Sequence, residues 1–262
     1  MSKRKDILLE QVIVQYLRSK EPIGSESLKA YFDNSFSSAT IRNYFKALSL
    51  EGWLFQPHVS SGRIPTNAAL KNHWLKKIDP KSTLNTSLQT LKASSYKHKI
   101  CCILSIESGN KLERIINIED SFLVLLFEKS QIVVTYNASL ERFLQELKNL
   151  DITDIKKIAY QVRASELLAL LENAHKVNIS RFCLSALEEM LSQSQNEEVF
   201  LDIVNGFIFH KLENGIYFEQ NLPKDYLGVM QEVCLSENLS GRIFCIGRID
   251  SDYTRFYSEL AS

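Results

Sequence analysis

The sequence predicts an α+β chain of more than one domain, in which a basic helix-turn-helix head with a β-hairpin behind it precedes a mixed body. Three observations carry this prediction. Residues 36–66 read as a helix followed at once by a turn-rich hairpin, positive charge collects in the first third, and the remainder alternates short apolar runs with helical spacing.

The head can be justified element by element. Residues 7–17 place Leu8, Val12 and Tyr16 on one helical stripe, and Ser25 can cap a short helix through Leu28 to Tyr31. Ser37 or Ser38 suits the N-cap of a third helix, because a hydroxyl there accepts from an otherwise orphaned N–H, and Gly52 suits its C′ position. Ile41, Phe45 and Leu48 recur at i, i+4 and i+7, so that stripe faces a core. The other arc carries Thr40, Arg42, Asn43 and Lys46, and no acid occurs between Phe36 and Leu50. Arginine reads guanine, asparagine reads adenine, and carboxylates would be repelled by phosphate. Helix, short helix, turn and helix make a helix-turn-helix with the last helix as reader.

Residues 53–56 are β-like and closed by Pro57. Residues 58–63, with His58, Ser60, Ser61 and Gly62, form a turn-rich tip, so the hairpin reads as a wing. Arg63 is expected at that tip, reaching a minor groove or a phosphate, with Gly62 allowing close approach. Pro65 and Thr66 end the hairpin, and a helix follows from Asn67 to about Ile78.

Charge sets this head apart from the rest of the chain. The whole sequence balances, with 31 basic and 31 acidic residues, yet residues 1–78 hold twelve Lys and Arg against six acids, a net +6. A basic module on an acidic remainder fits a DNA-binding head with a separate regulatory or assembly part.

At 262 residues and 45% hydrophobic, the chain can bury more than one core. The expected boundary is residues 79–98, a linker or a connecting helix through Leu84, Leu88 and Leu91, after Asp79-Pro80 breaks the preceding helix. Beyond it, residues 100–106, 121–127 and 131–137 read as strands. Helical spacing follows at Leu140, Phe143, Leu144 and Leu147, over 153–161 and 166–174, and around 186–191. Strand signals return at 215–218 and 242–246, while residues 199–210 are undecided between helix and strand. Strands split by a helical block suggest an α+β domain with an insertion at about 140–214. Its leucine stripes serve either as core or as a subunit interface.

Several chemistries find no residues to carry them. The cysteines, Cys101, Cys102, Cys183, Cys234 and Cys245, contain no C-x-x-C pair and no histidine at metal spacing, which predicts reduced thiols in a cytoplasmic protein with no metal and no cofactor. Phosphate-cradling loop, nucleophile elbow and H-E-x-x-H helix are all missing, so no enzyme is expected. The longest apolar run, residues 122–127, is far below the ~20 residues of an integral membrane span.

The motifs carry a family resemblance. Pro22-Ile23-Gly24-Ser25, Ser37-Ser38-Ala39-Thr40-Ile41-Arg42-Asn43 and, most specifically, Gln56-Pro57-His58-Val59-Ser60-Ser61-Gly62-Arg63-Ile64-Pro65-Thr66 resemble the N-terminal domain of the HrcA family of bacterial heat-inducible transcription repressors. A weaker echo is Gly241-Arg242-Ile243-Phe244-Cys245-Ile246-Gly247 followed by Asp252-Tyr253-Thr254-Arg255. The resemblance implies a winged helix followed by a GAF-like α+β domain interrupted by an inserted, mainly helical dimerisation segment. It implies a homodimer on double-stranded DNA, at an inverted repeat called CIRCE before chaperone operons, with the chaperonin GroEL sustaining activity. Carried over, Ser37, Ser38, Thr40, Arg42, Asn43 and Lys46 would read the half-site, and His58, Ser60, Gly62 and Arg63 would form the wing. The chain departs from the family at Arg248-Ile249-Asp250-Ser251, where a Pro-Thr-Arg-Met run is usual, and it is shorter in the middle or just before the last strand. The other function the sequence allows is a metabolite-responsive regulator with an effector in the GAF-like domain.

Overall fold

The computed structural model describes residues 3–32, 36–106, 109–174, 178–191, 196–236 and 239–261. The chain divides into two compact units: Met1–Ser105 together with Ile179–Ser262, and Ile106–Asn178.

The first unit begins with α1 (Lys3–Ser19), whose Leu8, Leu9, Val12, Ile13 and Leu17 form its buried face. Next come α2 (Ser25–Lys29), a 3-10 turn over Ala30–Phe32, and α3 (Ser38–Leu50). Ser37 is the N-cap of α3, its side chain accepting from the Thr40 N–H, and Ile41, Phe45 and Leu48 are buried. Strands β1 (Leu54–Phe55) and β2 (Ile64–Pro65) pair antiparallel, Leu54 with Pro65 and Phe55 with Ile64. Thr66 then caps α4 (Asn67–Lys77), accepting from Ala69 N–H.

The body of this unit is a six-stranded sheet. It is built from β3 (Leu84–Asn85), β4 (Cys101–Ile106), β8 (Asn178–Phe182), β9 (Gly215–Tyr217), β10 (Tyr226–Ser236) and β11 (Leu239–Arg248), with order β3-β10-β11-β4-β8 and β9 also on β10. Because side chains alternate across a strand, one face presents Cys101, Ile103, Met230, Phe244 and Ile246. These pack with Leu187, α9 (Glu188–Leu191), α10 (Glu197–Asn205) and α11 (Ile208–Lys211). The alternate residues face α5 (Leu88–His98) and α12 (Tyr253–Leu260), which pack together. There Cys102 and Cys245 bring their sulfurs to 3.6 Å, and Tyr253 Oη donates to the Leu227 carbonyl at 2.9 Å.

The second unit is a three-stranded antiparallel meander, β5 (Leu112–Ile118), β6 (Phe122–Phe127) and β7 (Gln131–Thr135), followed by α6 (Ala138–Glu146), α7 (Ile152–Gln161) and α8 (Ser165–Ala174). Its core joins Leu112, Leu123, Leu125, Ile132 and Val134 from the sheet to Leu144, Ile155, Leu167 and Leu171 from the helices.

Several details differ from the sequence expectations. Residues 79–98 are more than a connection, since Leu84–Asn85 pairs parallel with Val233 and Cys234, and α5 buries Leu91, Ser94 and Ser95. The stripe through Leu84, Leu88 and Leu91 therefore starts as a strand and becomes a helix only at Leu88. The separate unit occupies 106–178, whereas sequence spacing suggests an insertion at about 140–214. The shift arises because β5–β7 close their core with α6–α8, while 179–214 packs on the other sheet. The undecided stretch 199–210 falls in α10 and α11, separated at Gly206, whose φ of +81° favours glycine.

Candidate nucleic-acid interface

Helix α3 owes its free face to what packs behind it. Its apolar stripe meets α1, α2 and β1, leaving Ser37, Arg42, Asn43 and Lys46 exposed and Ser38 and Thr40 half-buried. Thr40 stands 2.8 Å from Ser37 across the cap, so these hydroxyls stiffen the first turn as well as facing outward. Arg42 Nε donates to Ser25 Oγ at 3.2 Å, and its guanidinium lies 3.6 Å from exposed Glu26. Those contacts orient Arg42 at the edge of α3; Asn43 and Lys46 stand clear of them.

The hairpin behind α3 is organised by its own polar groups. Gln56 Nε2 donates to the carbonyls of Val59 and Ser61, at 2.7 and 2.9 Å. The His58 N–H donates to Ser61 Oγ at 2.9 Å, and the same hydroxyl donates back to the His58 carbonyl at 2.8 Å. These bonds close the loop and present His58, Val59 and Ser60 to solvent, Val59 being 99% exposed. Gln56 and Ser61 were not among the sequence candidates; their signal was only their position at the two ends of the Pro57-to-Ser60 turn.

Two wing residues sit differently from expectation. Arg63 is on the returning strand and not at the tip: its N–H and C=O both pair with Ile23 at 2.9 Å, and its guanidinium lies 6.0 Å from the Phe45 ring centre. Backbone pairing to the segment before α2 extends the hairpin and draws Arg63 inward. Gly62 serves the protein's own backbone, since a Cβ there would come within 2.4 Å of the Ile23 carbonyl carbon. The close approach that glycine permits is to the head itself.

Arg42, Lys46, Ser60, Gly62 and Arg63 nevertheless line one cleft of about 430 Å³ between α3 and the hairpin, together with Gln56 and Ser25. Ser37, Ser38, Thr40 and Asn43 continue from it along α3, and His58 continues along the loop. Hydroxyl, amide, guanidinium and ammonium donors converge there, which suits phosphate oxygens and base edges.

The head is held on the body at several points. Trp74 Nε1 donates to the Ile249 carbonyl at 2.7 Å, and its ring meets Tyr253 edge-on at 5.4 Å. Lys20 pairs with Asp250, Lys71 with Glu219, and Asn67 with Asp225. The Arg248-to-Ser251 run thus supplies the seat of the head: Ile249 gives its carbonyl to Trp74, and Asp250 meets Lys20 and Arg248. Asp252 caps α12 by accepting from Arg255 N–H, and Tyr253 is fully buried, which accounts for that motif as structure.

Among the described residues, no helix is long and apolar enough to cross a membrane, and no group of three or more His, Cys, Asp or Glu could hold a metal ion.

The chain carries a basic helix and hairpin on an α+β body, and the comparisons give its class as a regulator of transcription. A family model described as the HrcA C-terminal domain matches residues 74–262. Heat-inducible transcription repressors HrcA from two Helicobacter pylori strains, 26695 and J99, are 34% and 32% identical over 260 residues, 98% of this chain and 94% of each relative. The chain belongs to the HrcA family of heat-inducible transcription repressors. A crystal structure of a hypothetical protein, solved at 2.2 Å, superposes with a TM-score of 0.55 at 16% identity, covering 100% of this chain and 96% of that one, a likeness of fold.

Proposed function

We propose that this repressor acts in the cytoplasm as a homodimer, its winged helix-turn-helix heads gripping the half-sites of a CIRCE-type inverted repeat before chaperone operons. The observation that carries this is the open face of α3 beside the hairpin cleft, rich in donors and on a head of net +6. Asn43, Lys46 and Arg42 read or hold the major groove, with Ser37, Ser38 and Thr40 on flanking phosphates. His58 and Ser60 enter from the loop, while Gly62 and Arg63 keep the wing in place.

Repression is occupancy: bound protein denies the promoter to polymerase, and the amount of active dimer follows the stability of the fold. Heat lowers that amount. GroEL would restore it by returning unfolded repressor to the native pool, coupling spare chaperonin to repression. Two heads on one dimer match a palindrome, and the second contact benefits from a high effective concentration. A GAF-like body with residues 106–178 as the inserted dimerisation segment fits this scheme. The outer face of β5–β7 supports it, since Ile116, Ile118, Phe122 and Val133 are 42–51% exposed on one unit.

Mobility-shift titration on an inverted-repeat operator tests the reading. Asn43→Ala should cost about 1–3 kcal/mol and relax preference at one base pair. Lys46→Ala should weaken all sequences evenly and flatten the salt dependence. Normal affinity and salt slope in both variants would take α3 out of the interface.

A further inference from the structure

Val59 stands at the tip of the hairpin loop and, at 99%, is the most exposed large hydrophobic side chain among the described residues. Nothing local asks for valine there. The Ser61 N–H donates to the His58 carbonyl at 2.9 Å, so residues 58–61 make a turn with Val59 and Ser60 at its centre. Glycine, proline, asparagine, aspartate and serine favour such turns, each for a reason that a β-branched side chain does not supply. The turn is also closed without the Val59 side chain, since Gln56 Nε2 holds the Val59 and Ser61 carbonyls and Ser61 Oγ bridges the N–H and C=O of His58. With its own carbonyl held and its χ1 stiff, the isopropyl group is presented to solvent with little freedom left to lose on contact.

The cleft beside the loop says what that contact is, given the DNA-binding reading above, on which this inference rests. With α3 in the major groove, Arg42, Lys46 and Arg63 line a space of about 430 Å³ that suits one phosphodiester strand. Val59, Ser60 and Ser61 form the other wall of the same cleft. Beyond a backbone strand that borders the major groove lies the minor groove. Val59 therefore meets the minor-groove edge of base pairs next to those that α3 reads.

We infer that Val59 is a specificity residue, accepting A·T or T·A at one base pair of each half-site and rejecting G·C. In the minor groove A·T and T·A present only acceptors, whereas G·C adds the guanine N2 amine as a donor. A methyl group pressed onto that amine takes it from water and offers no acceptor in return.

Inosine isolates this contact. It lacks the N2 amine, so an I·C pair resembles G·C from the major groove and A·T from the minor groove. Full-length protein is titrated by mobility shift, at fixed salt, on a chaperone-promoter inverted repeat in which each base pair is replaced symmetrically by A·T, G·C or I·C. One position per half-site should bind G·C roughly fivefold or more weakly than A·T, with I·C restoring the A·T affinity. Val59→Asn, whose side-chain carbonyl can accept from the amine, should erase the difference at that position, and Val59→Ala should shrink it. Neither variant should shift the melting temperature, because the side chain lies in solvent. Equal affinity for G·C and I·C at every position overturns the proposal. So does an inosine rescue that is unchanged in Val59→Asn, since an amine acting through groove width alone would survive that substitution. In both cases the operator is still bound and the DNA-binding reading stands, whereas no binding to any inverted repeat overturns both.

Discussion

The Trp74 indole N–H donates to the Ile249 carbonyl across 175 residues of sequence, and both groups are buried. This bond ties the last helix of the head to the turn between β11 and α12. Trp74→Phe keeps most of the ring volume but leaves that carbonyl without its donor, a loss of about 1–3 kcal/mol. Urea unfolding followed by circular dichroism should show the midpoint fall while head and body still melt together. An unchanged midpoint would mean that the bond contributes nothing.

Gly62→Ala attacks the wing from inside. The new methyl would overlap the Ile23 carbonyl, so the backbone pairing of Ile23 with Arg63 must open. The expected cost is about 1–3 kcal/mol, as for other overpacked sites. Operator affinity should drop, and the common melting transition of head and body should fall with it. Wild-type affinity in a mobility-shift assay would show that the wing tolerates the shift or is not used.

Acid stability should depend on Glu10. A hydrogen bond from His73, reinforced by Lys77 and opposed by partial burial, lowers its carboxyl from the ordinary 4.5 to about 2. A carboxyl whose folded value lies below its unfolded one stabilises fully above about 4.5 and loses that contribution as pH falls toward about 2. Glu259, held at about 2 by Lys97 and then His98, works in the same window. Glu10→Gln should therefore lose stability less steeply between pH 4.5 and 2 than the parent, with the Glu259 slope remaining. Parallel stability–pH curves for the two proteins would contradict the assignment.

The outer face of β5–β7 bears on assembly. Phe122 and Val133 stand about half exposed on adjacent strands, where a charge would cost little in an isolated unit and much in a packed interface. On the proposed dimerisation through this face, sedimentation should find Phe122→Glu and Val133→Lys proteins shifted from dimer to monomer with unchanged helix content, and operator binding should lose its two-site character. A variant that remains dimeric would move the contact elsewhere.

Much of the head was legible because its signals are local. Ser37 at the cap, the Ile41, Phe45 and Leu48 stripe, and Thr66 before α4 all act within one or two turns of chain. The body was harder to read for identifiable reasons. Strand β5 mixes Glu113, Arg114 and Asn117 with its isoleucines because one face stays open, and β10 interrupts its apolar row with Gly228, Gln231 and Glu232. Leu84 belongs to a helical stripe by spacing and to a strand by pairing, and only Val233 across the gap settles it.

The candidate site divides in the same way. The exposed donors of α3 follow from helical periodicity, which needs nothing beyond α3 itself. The inward position of Arg63, the packing role of Gly62 and the Gln56 bonds across the loop depend on which backbone lies alongside.

Sequence alone determined the order of the head's elements, its positive charge and the identity of the outward-facing side chains on α3, because capping and periodicity are short-range effects. Tertiary structure alone decided that Arg63 turns inward and that the head is seated on Ile249 and Asp250. Those outcomes come from pairings between residues tens to hundreds of positions apart, and no local pattern encodes which distant partner will satisfy a buried polar group.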